Sequence, residues 1–195
     1  MIIWLCAGVV LLVSCRDEET GGRSGGGGPL AATVTSLGAE DRPGDIWQAA
    51  ERGDLEAVRE YLDTGADPDE RNGDGLSALM LAAEAGRSEV VKLLLPRCAE
   101  GLDDALFLAA CRNHAALVDL LARQGACVHA RTGDGRTALM VAAANGAEEA
   151  VRALLRHQAN RYATDQRDHT AGQIAMMAGH VGLGRLLLAR PKPEE

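Results

Sequence analysis

Apolar residues between positions 45 and 190 fall in short clusters, each closed by a residue that ends helices. The clusters are Ala49-Ala50, Ala82-Ala83, Ala109-Ala110, Ala142-Ala143 and Ala175-Met176, and their stops are Gly53, Gly86, Asn113, Gly146 and Gly179. The stops lie 33, 27, 33 and 33 residues apart. A left-handed helix end asks for glycine, with asparagine as second choice, so Asn113 fits the series. Nine residues before each stop stand Gly44, Ser77, Asp104, Thr137 and Thr170, all residue types favoured at helix N-caps. The pattern predicts a short first helix in every unit. A second helix follows each stop, with apolar seams at Val58, Tyr61 and Leu62; Val91, Leu94 and Leu95; Val118 and Leu121; Val151, Leu154 and Leu155; and Leu187 and Leu188. Spacings of three and four put each seam on one helical face. Gly65 and Gly125 end two of these second helices. No unit of this size buries its seam alone, so the units must stack on one another.

The repeated residues resemble the ankyrin repeat, whose unit of about 33 residues carries Thr-Pro-Leu-His, Ala-Ala, Gly, Val, Leu-Leu and Gly-Ala-Asp. Ser77-Ala78-Leu79-Met80 and Thr137-Ala138-Leu139-Met140 match the tetrapeptide, with Ala for Pro and Met for His. The resemblance implies an all-α solenoid of stacked helix-turn-helix units with short β-hairpin loops. The units are assigned to 44–71, 72–101, 102–131, 132–164 and 165–190, with a tail at 191–195. Two depart from the pattern. The third lacks six residues between Cys98 and Asp104, which predicts a truncated or absent hairpin finger and a notch in the row. The fifth has Gly172 and Gly184 inside its helices, each costing about 1 kcal/mol of helix propensity, and is expected to be a loose C-terminal cap that frays first. The first unit is expected to serve as the N-terminal cap.

Before the repeats the composition changes twice. Ile2 to Val13 is an apolar run, too short for a spanning helix of about 20 residues but suited to the core of a secretory leader. Leu12-Val13-Ser14-Cys15 resembles the lipobox of bacterial lipoproteins, which implies a leader at 1–14, acylation of Cys15 with palmitate-type chains, and a periplasm-facing envelope protein. The run carries no Lys or Arg ahead of it, and two other readings stay open: a cleaved leader without lipid, and a cytosolic protein with an apolar N-terminus. Residues 15–43 include Gly25-Gly26-Gly27-Gly28-Pro29 and little apolar content, the composition of a flexible tether with a span of roughly 30 Å.

Candidate chemistry is sparse. A formal charge of −8 excludes a general nucleic-acid binder, which needs a basic stripe. No nucleophile motif or acid–base pair stands out, so the chain is read as a non-enzyme with no cofactor and no small-molecule substrate. Cys111, His114, Cys127 and His129 have zinc-like spacing, but a helix of about ten residues separates the two pairs by roughly 15 Å, so no metal is assigned. Cys98, Cys111 and Cys127 are expected to pack as reduced apolar residues; a Cys98–Cys127 disulfide is the alternative. His180 is read as structural.

In ankyrin arrays the finger tips and the ends of the first helices line a concave face that binds protein. Carried over by position, the candidate contacts are Asp74, Leu76, Glu84, Arg112, Asp134, Arg136, Asn145, Gln166, Arg167 and His169. Leu76 and Met177 are expected to be exposed among charges, with Arg112, Arg136 and Arg167 as anchors. The partner class is a protein, with membrane contact through the lipid on Cys15. An immunity or protective factor that occludes a toxin or assists an envelope enzyme is the second reading.

Overall fold

The stop residues take the conformation their identity predicts. In the computed structural model, φ is 87° at Gly53, 74° at Gly86, 62° at Asn113, 67° at Gly146 and 89° at Gly179. The structure describes the backbone at 2–6 and 9–13, and backbone and side chains at 45–98 and 100–189. Cys15, the proposed tether and the 191–195 tail lie outside the described residues. Within the apolar N-terminal run, strand β1 (Ile2–Cys6) pairs antiparallel with β2 (Val9–Val13).

Among the described residues ten helices follow in five pairs: α1 (Ile46–Arg52) and α2 (Leu55–Asp63), α3 (Ala78–Glu84) and α4 (Ser88–Leu94), α5 (Leu102–Cys111) and α6 (Ala115–Arg123), α7 (Ala138–Ala144) and α8 (Glu148–Arg156), α9 (Ala171–Met177) and α10 (Val181–Leu188). The first helices stack in a row, α1 on α3, α3 on α5, α5 on α7 and α7 on α9, and beside them α2 packs on α4 and α6 on α8. The alanine pairs are fully or nearly fully buried, which lets the row pack closely, and Leu79, Leu106 and Leu139 fill the space between. Each such leucine contributes about 1.5–3 kcal/mol on burial. The seam residues Val58, Val91, Leu94, Val118, Leu121, Val151, Leu154 and Leu187 are buried as the periodicity requires. Among the described residues no helix is long and apolar enough to cross a membrane.

Three fingers close with antiparallel bridges, Arg71 to Ser77, Arg131 to Thr137 and Thr164 to Thr170. The shortened third unit has no such bridge among the described residues, in line with its deletion. Three expectations are corrected. Asp45, not Gly44, precedes α1 as its N-cap. Gly101, not Asp104, is the N-cap of α5, because the chain enters that helix straight from the missing finger and starts it earlier. Asp104 therefore sits inside the first turn, where burial pushes its carboxyl pKa up, the Arg71 charge opposes and Asp103 adds to the rise.

The third correction concerns Leu76, which is 4 % exposed rather than open to solvent. It packs with Met80, Leu108 and the flank of Leu81. With no finger beside α5, Leu108 lacks a natural cover, and Leu76 from the preceding finger supplies it. The glycines of the fifth pair have a packing role that the residues alone do not declare. A Cβ on Gly172 would come within 2.8 Å of Leu188 Cγ, and one on Gly184 within 2.9 Å of the Gly172 carbonyl oxygen as well as against Met176. These glycines lie where α9 and α10 cross, so they serve the packing of the pair as well as lowering its helix propensity.

Candidate protein-binding surface

The finger loops are held by one acceptor each, at the same place in each unit. Asn72 Oδ1 accepts from the N–H groups of Asp74 and Leu76, both at 2.9 Å. Thr132 Oγ1 accepts from Arg136 N–H at 3.1 Å and also donates to Asp134 Oδ1. Asp165 Oδ1 accepts from Arg167 N–H at 2.8 Å and His169 N–H at 2.9 Å. Three different side chains thus make the same turn, each able to bond its own backbone a few residues on. The sequence reading missed all three; the signal was an Asn, Thr or Asp at the same phase of the period.

The fingers are also tied to each other. Arg131 Nη1 donates to the Gly135 and Thr164 carbonyls, both at 2.7 Å, and Gln166 Nε2 donates to the Gly133 carbonyl at 2.8 Å. Gln166, a candidate contact, is therefore engaged in joining its finger to the one before it. The tips form a fixed edge.

Two grooves run along the first-helix ends beneath that edge. One, of about 250 Å³, is lined by Glu51, Leu81, Glu84, Ala85 and Arg112. Here two candidates meet each other: Arg112 Nη2 lies 2.6 Å and its Nε 3.2 Å from Glu84 Oε1. The larger, of about 590 Å³, lies between the α7 and α9 pairs. It brings together Arg136, Asn145, Arg167 and His169 with Asp165, Ile174, Met177 and His180. Arg136 Nε stands 3.1 Å from Asp134 Oδ2 and 4.0 Å from Asp165 Oδ2, and His169 Nδ1 stands 3.7 Å from Asp165 Oδ1. Burial works against ionisation of Asp165, but the hydrogen bonds from His169 and Arg167 N–H and the charges of His169 and Arg136 outweigh it and hold its carboxyl below the usual range. Asn145 Nδ2 is fixed on the Val141 carbonyl at 2.9 Å. Met177 is exposed, as expected. Asp74 stands apart from both grooves, exposed on the finger of the second pair.

His114 and His180 pack over the helix stops of the preceding units. His114 Nε2 lies 3.0 Å from the Glu84 carbonyl and its ring covers Gly86, while the His180 ring covers Gly146. Among the described residues no group of three or more His, Cys, Asp or Glu is placed to hold a metal ion. Cys98 and Cys127 are free thiols, so the disulfide considered between them does not form, and Cys111 is disulfide-bonded, against the expectation that all three are reduced. Burial, with Asp69 alongside, pushes the Cys98 thiol up to about 12, which makes it unreactive.

A family model described as ankyrin repeats in three copies matches residues 46–132 and 106–194. The chain is 33% identical over 137 residues to the protein glp-1 of Caenorhabditis elegans, covering 61% of this chain and 10% of that protein. It is 34% identical over 120 residues to the ankyrin repeat and SAM domain-containing protein 6 of Rattus norvegicus, covering 56% of this chain and 13% of that one. With the E3 ubiquitin-protein ligase XBAT33 of Arabidopsis thaliana it shares 36% identity over 99 residues, 49% of this chain and 19% of the ligase. The matched part thus spans a tenth to a fifth of the length of these relatives. Helix pairs, left-handed stops and matched family residues agree, and the chain belongs to the ankyrin-repeat family.

Proposed function

We propose that the five helix pairs are five repeat units whose concave face presents a preformed surface to a protein partner, with no bond-making step. The observation that carries this is the larger groove, whose walls are already fixed before any partner arrives: Asp165 and Arg131 hold the fingers, and Asn145 and Arg136 are oriented by contacts of their own. A surface ordered in advance loses little entropy on binding. Of the candidate contacts, Asn145, Arg136, Arg167 and His169 form its centre, and Glu84 with Arg112 a second point of contact. Leu76 is left out, being buried.

The same reading places the protein at a bacterial envelope, facing the periplasm and held by lipid on Cys15. This rests on the lipobox-like Leu12-Val13-Ser14-Cys15 and the glycine-rich stretch after it. Labelling with a palmitate analogue tests the anchor, and label that persists in Cys15→Ala contradicts it. The surface is tested by affinity capture with the chain and with the triple variant Arg112→Glu, Arg136→Glu, Arg167→Glu, checked for native helix content. A partner lost in the variant is expected; a partner retained, or none captured by either, defeats the proposal.

A further inference from the structure

Charge is unevenly divided along the array. Residues 45–113 hold 15 Asp and Glu against 7 Lys and Arg, whereas residues 114–189 hold 6 against 8. The whole-chain acidity thus belongs to the first half, and the smaller groove there has Glu51 and Glu84 opposed only by Arg112. The larger groove has the opposite character at its rim. Arg136 is tethered through Nε, and no hydrogen bond among the described residues uses its two terminal nitrogens. Arg167, at the tip of the neighbouring finger, is exposed and in no ion pair among the described residues. Below them lies Met177, 63 % exposed, a large apolar side chain left to water beside two guanidinium groups.

On the reading that this face binds protein, we infer that the groove between α7 and α9 takes an acidic segment of the partner, a carboxylate meeting Arg136 and Arg167 and an aliphatic side chain resting on Met177. Guanidinium groups recognise carboxylates with two parallel hydrogen bonds, and one already held in place gives up less rotamer freedom. A thioether adapts to whatever apolar shape lies over it. The near-balanced half, with 6 acidic against 8 basic residues, admits an acidic chain at this groove, while the acidic half repels it. The occupant is therefore oriented, its most acidic part over the fourth and fifth pairs.

The experiment is a selection of random 12-residue peptides displayed on phage against the immobilised full chain, followed by affinity measurement on a synthetic copy of the leading peptide. Recovered peptides are expected to be enriched in Asp and Glu over Lys and Arg. The synthetic copy should lose about tenfold in affinity to Arg167→Glu and should weaken as salt rises. Among the described residues no ion pair involves Arg167, so this variant is expected to keep the fold, and an unchanged thermal melt confirms it. Arg136→Gln serves as the second arm. Peptides without acidic bias, or indifferent to Arg167→Glu but weakened by Arg112→Glu, overturn the acidic-segment assignment and leave the binding surface standing. Recovery of no peptide at all overturns both.

Discussion

Asn113 combines two functions that other units divide between two residues. At three of the four glycine stops a side chain from the following unit lies over the glycine: Arg87 over Gly53, with Nε donating to the Glu51 carbonyl at 2.9 Å, His114 over Gly86 and His180 over Gly146. At the third stop the polar group stands on the stop itself, and the residue opposite is Ala147. Asn113 Oδ1 then accepts from the Ala150 N–H at 2.9 Å, capping α8, whose own N-cap residue has no side-chain acceptor. Asn113→Gly keeps the left-handed turn and should cost about 1 kcal/mol through the lost cap, while Asn113→Ala should cost more because it adds strain at φ 62°. Urea unfolding measures both. Asn113→Gly with Ala147→His reinstates the arrangement seen at Gly86 and should recover stability relative to Asn113→Gly alone.

Asp165 belongs to the same scale. Its folded pKa is depressed, so its contribution is present above the ordinary carboxylate range and is lost as pH falls through the folded value. Asp165→Ala should cost about 2 kcal/mol at pH 7, two charged-acceptor bonds being removed, and the difference from the parent should shrink below about pH 4. Unfolding curves at pH 7 and pH 3 decide this; a penalty independent of pH contradicts the assigned role.

Among the elements, the fifth pair gives the clearest contest between propensity and packing. Helix propensity alone predicts that Gly184→Ala gains about 1 kcal/mol. The crossing of α9 on α10 predicts the reverse, since the new Cβ would lie 2.9 Å from the Gly172 carbonyl oxygen, a backbone atom that cannot yield cheaply. Overpacking of this kind costs about 1–3 kcal/mol, and the variant should melt at lower temperature than the parent. A higher melting temperature would show that the pair is loose after all.

This contrast also marks what could be read from residues alone. Stops, seams and the missing finger are local features: a glycine or asparagine ends its own helix, and an i, i+3, i+4 seam declares its own face. Leu76 was misread, and the packing role of Gly172 and Gly184 was missed, because their environment is set by a neighbour's shape. Leu76 is buried by the absence of a finger in the next unit, and the two glycines by the approach of another helix. The candidate site was half legible for the same reason. Finger positions named Arg136, Arg167 and His169 by phase, but nothing in the sequence shows that Gln166 is used up on Gly133; Asn72, Thr132 and Asp165, which hold the tips, share a phase whose meaning only their hydrogen bonds reveal.

For the whole molecule, the proposed function rests on two grooves beneath the fingers, the first lined by Glu51, Glu84 and Arg112 and the second by Arg136, Arg167 and Asp165. The most direct measurement is hydrogen exchange on the full chain, with and without the selected acidic peptide. Protection is expected in the fingers and first-helix ends of the fourth and fifth pairs, around Arg136, Asn145, Arg167 and Met177, with α8 and α10 unchanged on their outer faces. Protection confined to α8 and α10, or spread over the acidic first half, would contradict the account.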